Sequence, residues 1–157
     1  MDTVINIISS NASLLWQLTK AFGTSASIFG LTLLFGLPLG MPIAFGRMSR
    51  HMWIRKPIEL LLLIIRGTPL MLQIIFVYFA PFYLFKMPIG QWRFSAVIVA
   101  FSINYACYFA EIYRGGLESI PIGQHEAAEV LGFTKMQSFL YIILPQVIKR
   151  ILPPMSN

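Results

Sequence analysis

Three stretches free of charged side chains decide what this chain can fold into. Ala21 to Gly46 holds 26 residues without an acid or a base, Gly67 to Phe85 holds 19, and Phe94 to Ala110 holds 17. A hydrocarbon core about 30 Å thick is crossed by roughly 20 helical residues. Lipid offers the backbone no hydrogen-bond partners, so a segment of this kind must satisfy itself as a helix. The expectation is an all-α integral membrane protein with spans at about 21–46, 60–85 and 94–113. Composition agrees: 11% of residues are charged and the mean hydropathy is +0.72, against roughly 25% charged in a soluble domain. A cleaved signal peptide fits poorly, because its apolar region is roughly 7–15 residues behind a basic segment. Here the first run is longer, and only Lys20 precedes it closely.

A net charge of +6 would suit a nucleic-acid partner, but its distribution argues for a membrane and no nucleic acid. Arg47, Arg50, Arg55 and Lys56 lie between the first two runs, and Arg114, Lys135, Lys149 and Arg150 follow the third. Only Lys20, Lys86 and Arg93 fall on the other side. Lys and Arg concentrate in cytoplasmic loops. The N-terminus is therefore expected outside and everything after Glu111 inside, in a multi-pass plasma-membrane topology. The single cysteine, Cys107, allows neither an intrachain disulfide nor a metal cluster; its expected role is small-residue packing, and no metal site is expected.

Residues 1–20 read either as a short interfacial helix with Trp16 at the headgroups or as a loose lead-in. The first span carries Gly23, Gly30, Gly36, Gly40 and Gly46, and small residues let membrane helices approach closely. Pro38 and Pro42 should kink or end its inner half. Pro57 is expected to open the second span as its first helical residue. Arg66 then either snorkels to the inner membrane face, the preferred reading, or pairs with an acid such as Glu111. Thr68 and Pro69 loosen the helix just beyond. Tyr78, Tyr83 and Trp92 gather where amphipathic rings sit at the outer interface. In the third span Asn104, Tyr105 and Tyr108 either bond between helices or line a solute path.

Beyond the third span the pattern changes. Glu111 and Arg114 stand close enough to pair, and Gly115 and Gly116 should stop the helix. A short helix is expected over Gln124 to Leu131, built from the strong formers Glu126, Ala127, Ala128 and Glu129. Gly132 should cap it, and Phe133 to Ile143 should form a second amphipathic helix that Leu144-Pro145 closes. Such a helix–Gly–helix elbow offers two alanines for close approach and two acids for basic groups of a partner. The competing reading, an elbow lying on the membrane surface, sits poorly with an acidic face beside anionic lipid.

Glu126, Ala127, Ala128, Gly132, Ile142, Leu144 and Pro145 match, at every offset, the EAA motif of ATP-binding-cassette importer permeases. The chain resembles the polar amino acid branch of that family, since Arg66-Gly67-Thr68-Pro69-Leu70 with Gln73 and Tyr78 is similar to its second-helix signature. Ala110 to Gly116, then Ser119-Ile120-Pro121 and Gly123-Gln124, is similar to its approach to the EAA loop. The resemblance, over roughly Gly23 to Asn157, implies a type I importer transmembrane domain: three transmembrane helices here plus cytoplasmic coupling helices over about 117–145. It implies Glu126, Ala127, Ala128 and Gly132 as ATPase-coupling positions. It also implies as partners an ATPase dimer that holds the ATP and magnesium, a second permease copy or sibling, an extracytoplasmic amino-acid-binding protein and membrane lipid. The family core has five helices, and where this chain reaches Pro153 to Asn157 the family continues into a fourth. The expectation is a fragment or truncated product lacking the C-terminal part.

No GxxxxGK[ST] phosphate loop is present, so the chain is expected to be non-catalytic and to draw its energy from the partner. A membrane-embedded enzyme would need paired acids or a His/Asp/Glu cluster within the spans, and the uncharged runs hold none. The alternatives kept are a non-transporting fragment or scaffold, and an importer of another small polar solute. Gln73, Asn104 and Tyr105 are the candidate solute-path residues, and Arg66, Glu111 and Arg114 the structural ones.

Overall fold

The computed structural model describes residues 2–86, 88, 90 and 92–156, with side chains described from residue 13 onward. The described residues form helices α1 (Asp2–Arg47), α2 (Met52–Gly67), α3 (Leu70–Phe85), α4 (Arg93–Glu118), α5 (Ile122–Val130) and α6 (Lys135–Gln137). A π-helical turn, Ser138–Ile143, then leads into α7 (Leu144–Ser156). Two helical stretches, Ser13–Arg47 and Arg93–Glu118, are long and apolar enough to cross a membrane, and α2 with α3 makes a third if that bent pair is one span.

α1 and α4 are the backbone of the fold, α4 packing against the C-terminal half of α1. One face of α1 presents Thr32, Gly36, Gly40 and Ala44 at four-residue spacing. α4 answers with the buried small residues Ala106, Cys107 and Ala110. A Cβ on Gly40 would lie 2.9 Å from Phe109 Cβ and 3.1 Å from the Ala106 carbonyl oxygen, so the helices touch there through backbone. This is the small-residue packing that replaces the hydrophobic effect inside lipid. Gly36 and Gly40 serve it as expected; Gly23 and Gly30 face open space.

α1 corrects two expectations. Its 46 residues include the lead-in, which is neither loose nor a separate interfacial helix. It also runs through Pro38 and Pro42 to Arg47 without ending. A proline inside a helix removes one hydrogen bond and crowds a carbonyl, but opening the helix in lipid would strand several more backbone groups. The Gly36–Gly40 seam holds α1 against α4, and the Tyr113 hydroxyl donates to the Leu37 carbonyl at 3.3 Å, beside Pro38.

The second expected span is two helices, not one. α2 starts at Met52, so Pro57 lies inside it rather than at its first position. α2 ends at Gly67, and α3 leaves at 110° after Thr68 and Pro69. Thr68 is extended (φ −111°, ψ 144°), as the residue before a proline prefers.

α4 passes straight through Gly115 and Gly116, which were expected to stop it. Gly116 is buried where α7 crosses, and a Cβ there would overlap Ile151. Its glycine serves close approach, not chain reversal. An apolar cluster of Ile120, Ile143 and Val147, flanked by Leu117, Phe139 and Ile151, joins this end of α4 to the π turn and α7.

Candidate functional site

The elbow is built by local signals at both ends. α5 begins after Pro121 and its C-terminus is closed by Gly132 at φ +78°, a left-handed conformation that glycine adopts without Cβ strain. The Gly132 N–H donates to the Glu129 carbonyl at 2.9 Å and the Phe133 N–H to the Ala128 carbonyl at 3.0 Å. These two bonds are the Schellman closure of a helix. The chain restarts at once: Thr134 Oγ1 accepts from the Gln137 N–H at 3.3 Å, and Gln137 Oε1 accepts from the Thr134 N–H at 2.9 Å. This capping box was readable as Thr134-x-x-Gln137 and was missed by the sequence reading.

The two alanines have opposite fates. Ala128 is 1% exposed, on the side where α5 packs against the π turn, while Ala127 faces outward. Glu126 and Glu129 are also exposed, beside Val130 at 87% and Leu131 at 72%. The outer surface of the elbow therefore pairs two carboxylates with an apolar lip.

The helix expected over Phe133 to Ile143 is interrupted, and Leu144-Pro145 does not close it. The chain widens into the π turn, with the Leu144 N–H reaching back to the Phe139 carbonyl, and continues through Pro145 as α7. Proline cannot donate and its ring crowds the carbonyl four residues earlier; a wider turn just before it relieves that crowding. Gln146, also missed, donates from Nε2 to Gln124 Oε1 at 3.0 Å and to the Ile142 carbonyl at 2.9 Å. Arg150 Nη1 donates to the Ser119 carbonyl. Together with the Ile120–Ile143–Val147 cluster, these bonds clasp the elbow to α4 and α7.

Above the elbow sits a charge hub. Glu111 Oε2 accepts from Arg114 Nη2 at 2.8 Å and from Arg114 Nε at 3.2 Å. Arg47 of α1 and Arg66 of α2 each approach the same carboxylate at 3.8 Å. Arg114 reaches on to Glu118, and Arg47 to Glu59 at 3.4 Å. Arg66 also stands over the Tyr108 ring, 5.2 Å from its centroid. The preferred snorkelling of Arg66 is thus only half of its placement: the side chain is 43% exposed, yet it leans on Glu111. A single carboxylate ties the ends of α1 and α2 to α4.

Of the candidate solute-path residues, the structure joins two and separates the third. Gln73 Oε1 accepts from Asn104 Nδ2 at 3.0 Å. Gln73 also borders a cleft of about 480 Å³ between the α2–α3 bend and α4, otherwise lined by Thr68 and apolar side chains. Tyr105 belongs to another face. Its ring stacks on Phe101 at 6.2 Å and borders a groove between α1 and α4 of about 350 Å³.

Residues 36–157 match the family described as "Binding-protein-dependent transport system inner membrane component". The chain belongs to that family. The match takes in the α1–α4 seam, the bent pair, the charge hub and the whole elbow. The octopine transport system permease protein OccM of Rhizobium radiobacter is 35% identical over 153 residues, covering 91% of this chain and 62% of that protein. The glutamine transport system permease protein GlnP of Escherichia coli (strain K12) is 38% identical over 137 residues, covering 83% of this chain and 58% of that protein. A crystal structure of an amino acid ABC transporter with histidines matches with a TM-score of 0.71 at 34% identity, over 90% of this chain and 68% of that one. The fold is thus that of an all-helical inner-membrane component of a binding-protein-dependent transport system. The chain spans about 60% of the length of these two curated relatives.

Proposed function

We propose that the chain is the permease subunit of an ATP-driven amino acid importer, with the elbow as its contact to a cytoplasmic ATPase. The observation that carries this reading is the outward face of α5. Glu126, Ala127 and Glu129 are presented beside an exposed Val130–Leu131 lip, on a helix ended by a glycine in the left-handed region. Carboxylates next to an exposed apolar lip suit a protein groove better than an anionic lipid surface. The amino acid class rests on relatives whose names specify glutamine and octopine transport and on the amino acid transporter of similar fold.

In this reading the ATP and its magnesium are held by the partner ATPase, a second permease copy or sibling completes the pathway, and an extracytoplasmic binding protein delivers the solute. The N-terminus lies outside and the elbow in the cytoplasm, a placement supported by the bias of Lys and Arg towards the 47–56 loop and the segment after Glu111. The chain's own part is mechanical. ATPase closure displaces α5. The Gln124–Gln146 and Arg150–Ser119 bonds pass that displacement to α7 and α4, and the Glu111 hub shares it with α1 and α2. α5 does not swing alone, because its inner face is packed and its flanks are hydrogen-bonded.

Glu126→Lys reverses the charge of an exposed side chain and disturbs no folded contact. In the full-length permease it is expected to leave membrane insertion unchanged, weaken co-purification of the ATPase and abolish coupled uptake. Uptake at the parental rate by a correctly inserted Glu126→Lys permease would contradict the assignment of the elbow.

A further inference from the structure

The bend between α2 and α3 frees carbonyl groups at the end of α2, which lipid cannot satisfy. The structure shows where their donors come from. Thr68 Oγ1 donates to the Ile64 carbonyl at 2.8 Å. Gln73 Nε2 lies 2.6 Å from the Ile65 carbonyl, 3.1 Å from the Thr68 carbonyl and 2.9 Å from Thr68 Oγ1, so its two N–H groups serve three acceptors across the break. Its remaining polar atom, Oε1, is taken by Asn104 Nδ2 of α4 at 3.0 Å. Asn104 is itself 6% exposed. Gln73 therefore has no donor left for a solute, although it borders the cleft.

We propose that Gln73, oriented by Asn104, is a clamp that fixes the bend of the broken span, which makes both positioning residues of the pathway and not solute ligands. One amide bridges the last turn of α2, the Thr68 corner and the first turn of α3, and α4 sets its orientation. Replacing either partner leaves polar groups in an apolar cleft without partners, and the corner loosens. Replacing both removes the demand of Asn104 as well, so the double variant should be no worse than the worse single one. The consequence for uptake rests on the importer reading; the consequence for the bend does not.

The test uses the full-length permease assembled with its ATPase and binding protein in lipid. Spin labels on Leu63→Cys of α2 and Leu84→Cys of α3, both exposed positions, report the distance across the bend. Gln73→Leu and Asn104→Leu are each expected to broaden that distance distribution, the double variant no further than the worse single one. With tritiated glutamine as the probe solute, each single variant is expected to lower the maximal uptake rate about 3- to 20-fold, the range of interhelical hydrogen bonds in membranes. The apparent KM should stay within about twofold, since no ligand contact is lost. An unchanged distance distribution in both single variants overturns the clamp, as does a raised KM with unchanged distances, which would mark Gln73 as a solute ligand. If the parental assembly takes up no amino acid, the importer reading fails while the distance measurement still decides the clamp.

Discussion

Gly40 and Gly23 are the same residue type on the same helix, yet their environments differ completely. Gly40 meets Phe109 and the Ala106 carbonyl at contact distance, and Gly23 meets nothing within 4 Å. The two nearest atoms that a Cβ on Gly40 would meet are a Cβ and a backbone oxygen, which cannot swing aside as a side-chain tip can. Gly40→Val is therefore expected to destabilise the α1–α4 pair by about 1–3 kcal/mol through overpacking. Gly23→Val should leave it unchanged. Unfolding in detergent, followed by a label on each helix, separates the two; equal effects would mean that the seam does not form as described. Glycine count in the first span announced close packing, but which glycines carry it depends on which face of α1 meets α4, and that is a property of the pair.

Among the elements, the elbow was the most legible in sequence and the helix ends the least. The elbow is local: strong helix formers, a glycine at a left-handed position and Thr134 with Gln137 all act within a few residues of themselves. Thr134→Ala removes one half of the capping box and is expected to cost about 1 kcal/mol of local stability. Faster amide exchange over residues 134–140, with α5 unaffected, would show it; unaltered exchange there would mean the cap contributes nothing. The misjudged ends all lie at proline or glycine. Of the two outcomes expected at Pro38 and Pro42, a kink or an end, α1 does not end; Leu144-Pro145 was expected to close a helix, and Gly115 with Gly116 to stop one. At Pro38 and Pro42 the α1–α4 packing outweighs the local penalty, and before Pro145 the π turn relieves it. At Gly116 the missing side chain is what lets α7 cross. The break at Thr68-Pro69 went the other way: it was expected as a loosening and is a 110° corner, because Gln73 and Thr68 supply the donors that make a full break affordable in lipid.

For the whole molecule, the uncharged runs and the asymmetry of Lys and Arg led directly to a membrane protein, and the spaced motif after Glu111 led to the importer family. Two features needed three dimensions. One is the convergence of Arg47, Arg66 and Arg114 on Glu111, since residues far apart in sequence meet only once the helices are packed. The other is the inward turn of Ala128 beside an outward Ala127, which divides the Glu126-Ala127-Ala128 stretch into a buried anchor and an exposed face. That division bears on the central claim, that the exposed face of α5 docks an ATPase. The most direct measurement is site-specific cross-linking in native membranes, with Val130→Cys on the lip of the elbow and Phe22→Cys on α1 as the control, both in the full-length permease. The native Cys107 is fully buried and stays silent. A cross-linked product of Val130→Cys with the ATPase subunit, sensitive to ATP, is expected, and none from Phe22→Cys. A lip that cross-links only to lipid, or to nothing, while the ATPase still co-purifies with the permease would contradict it.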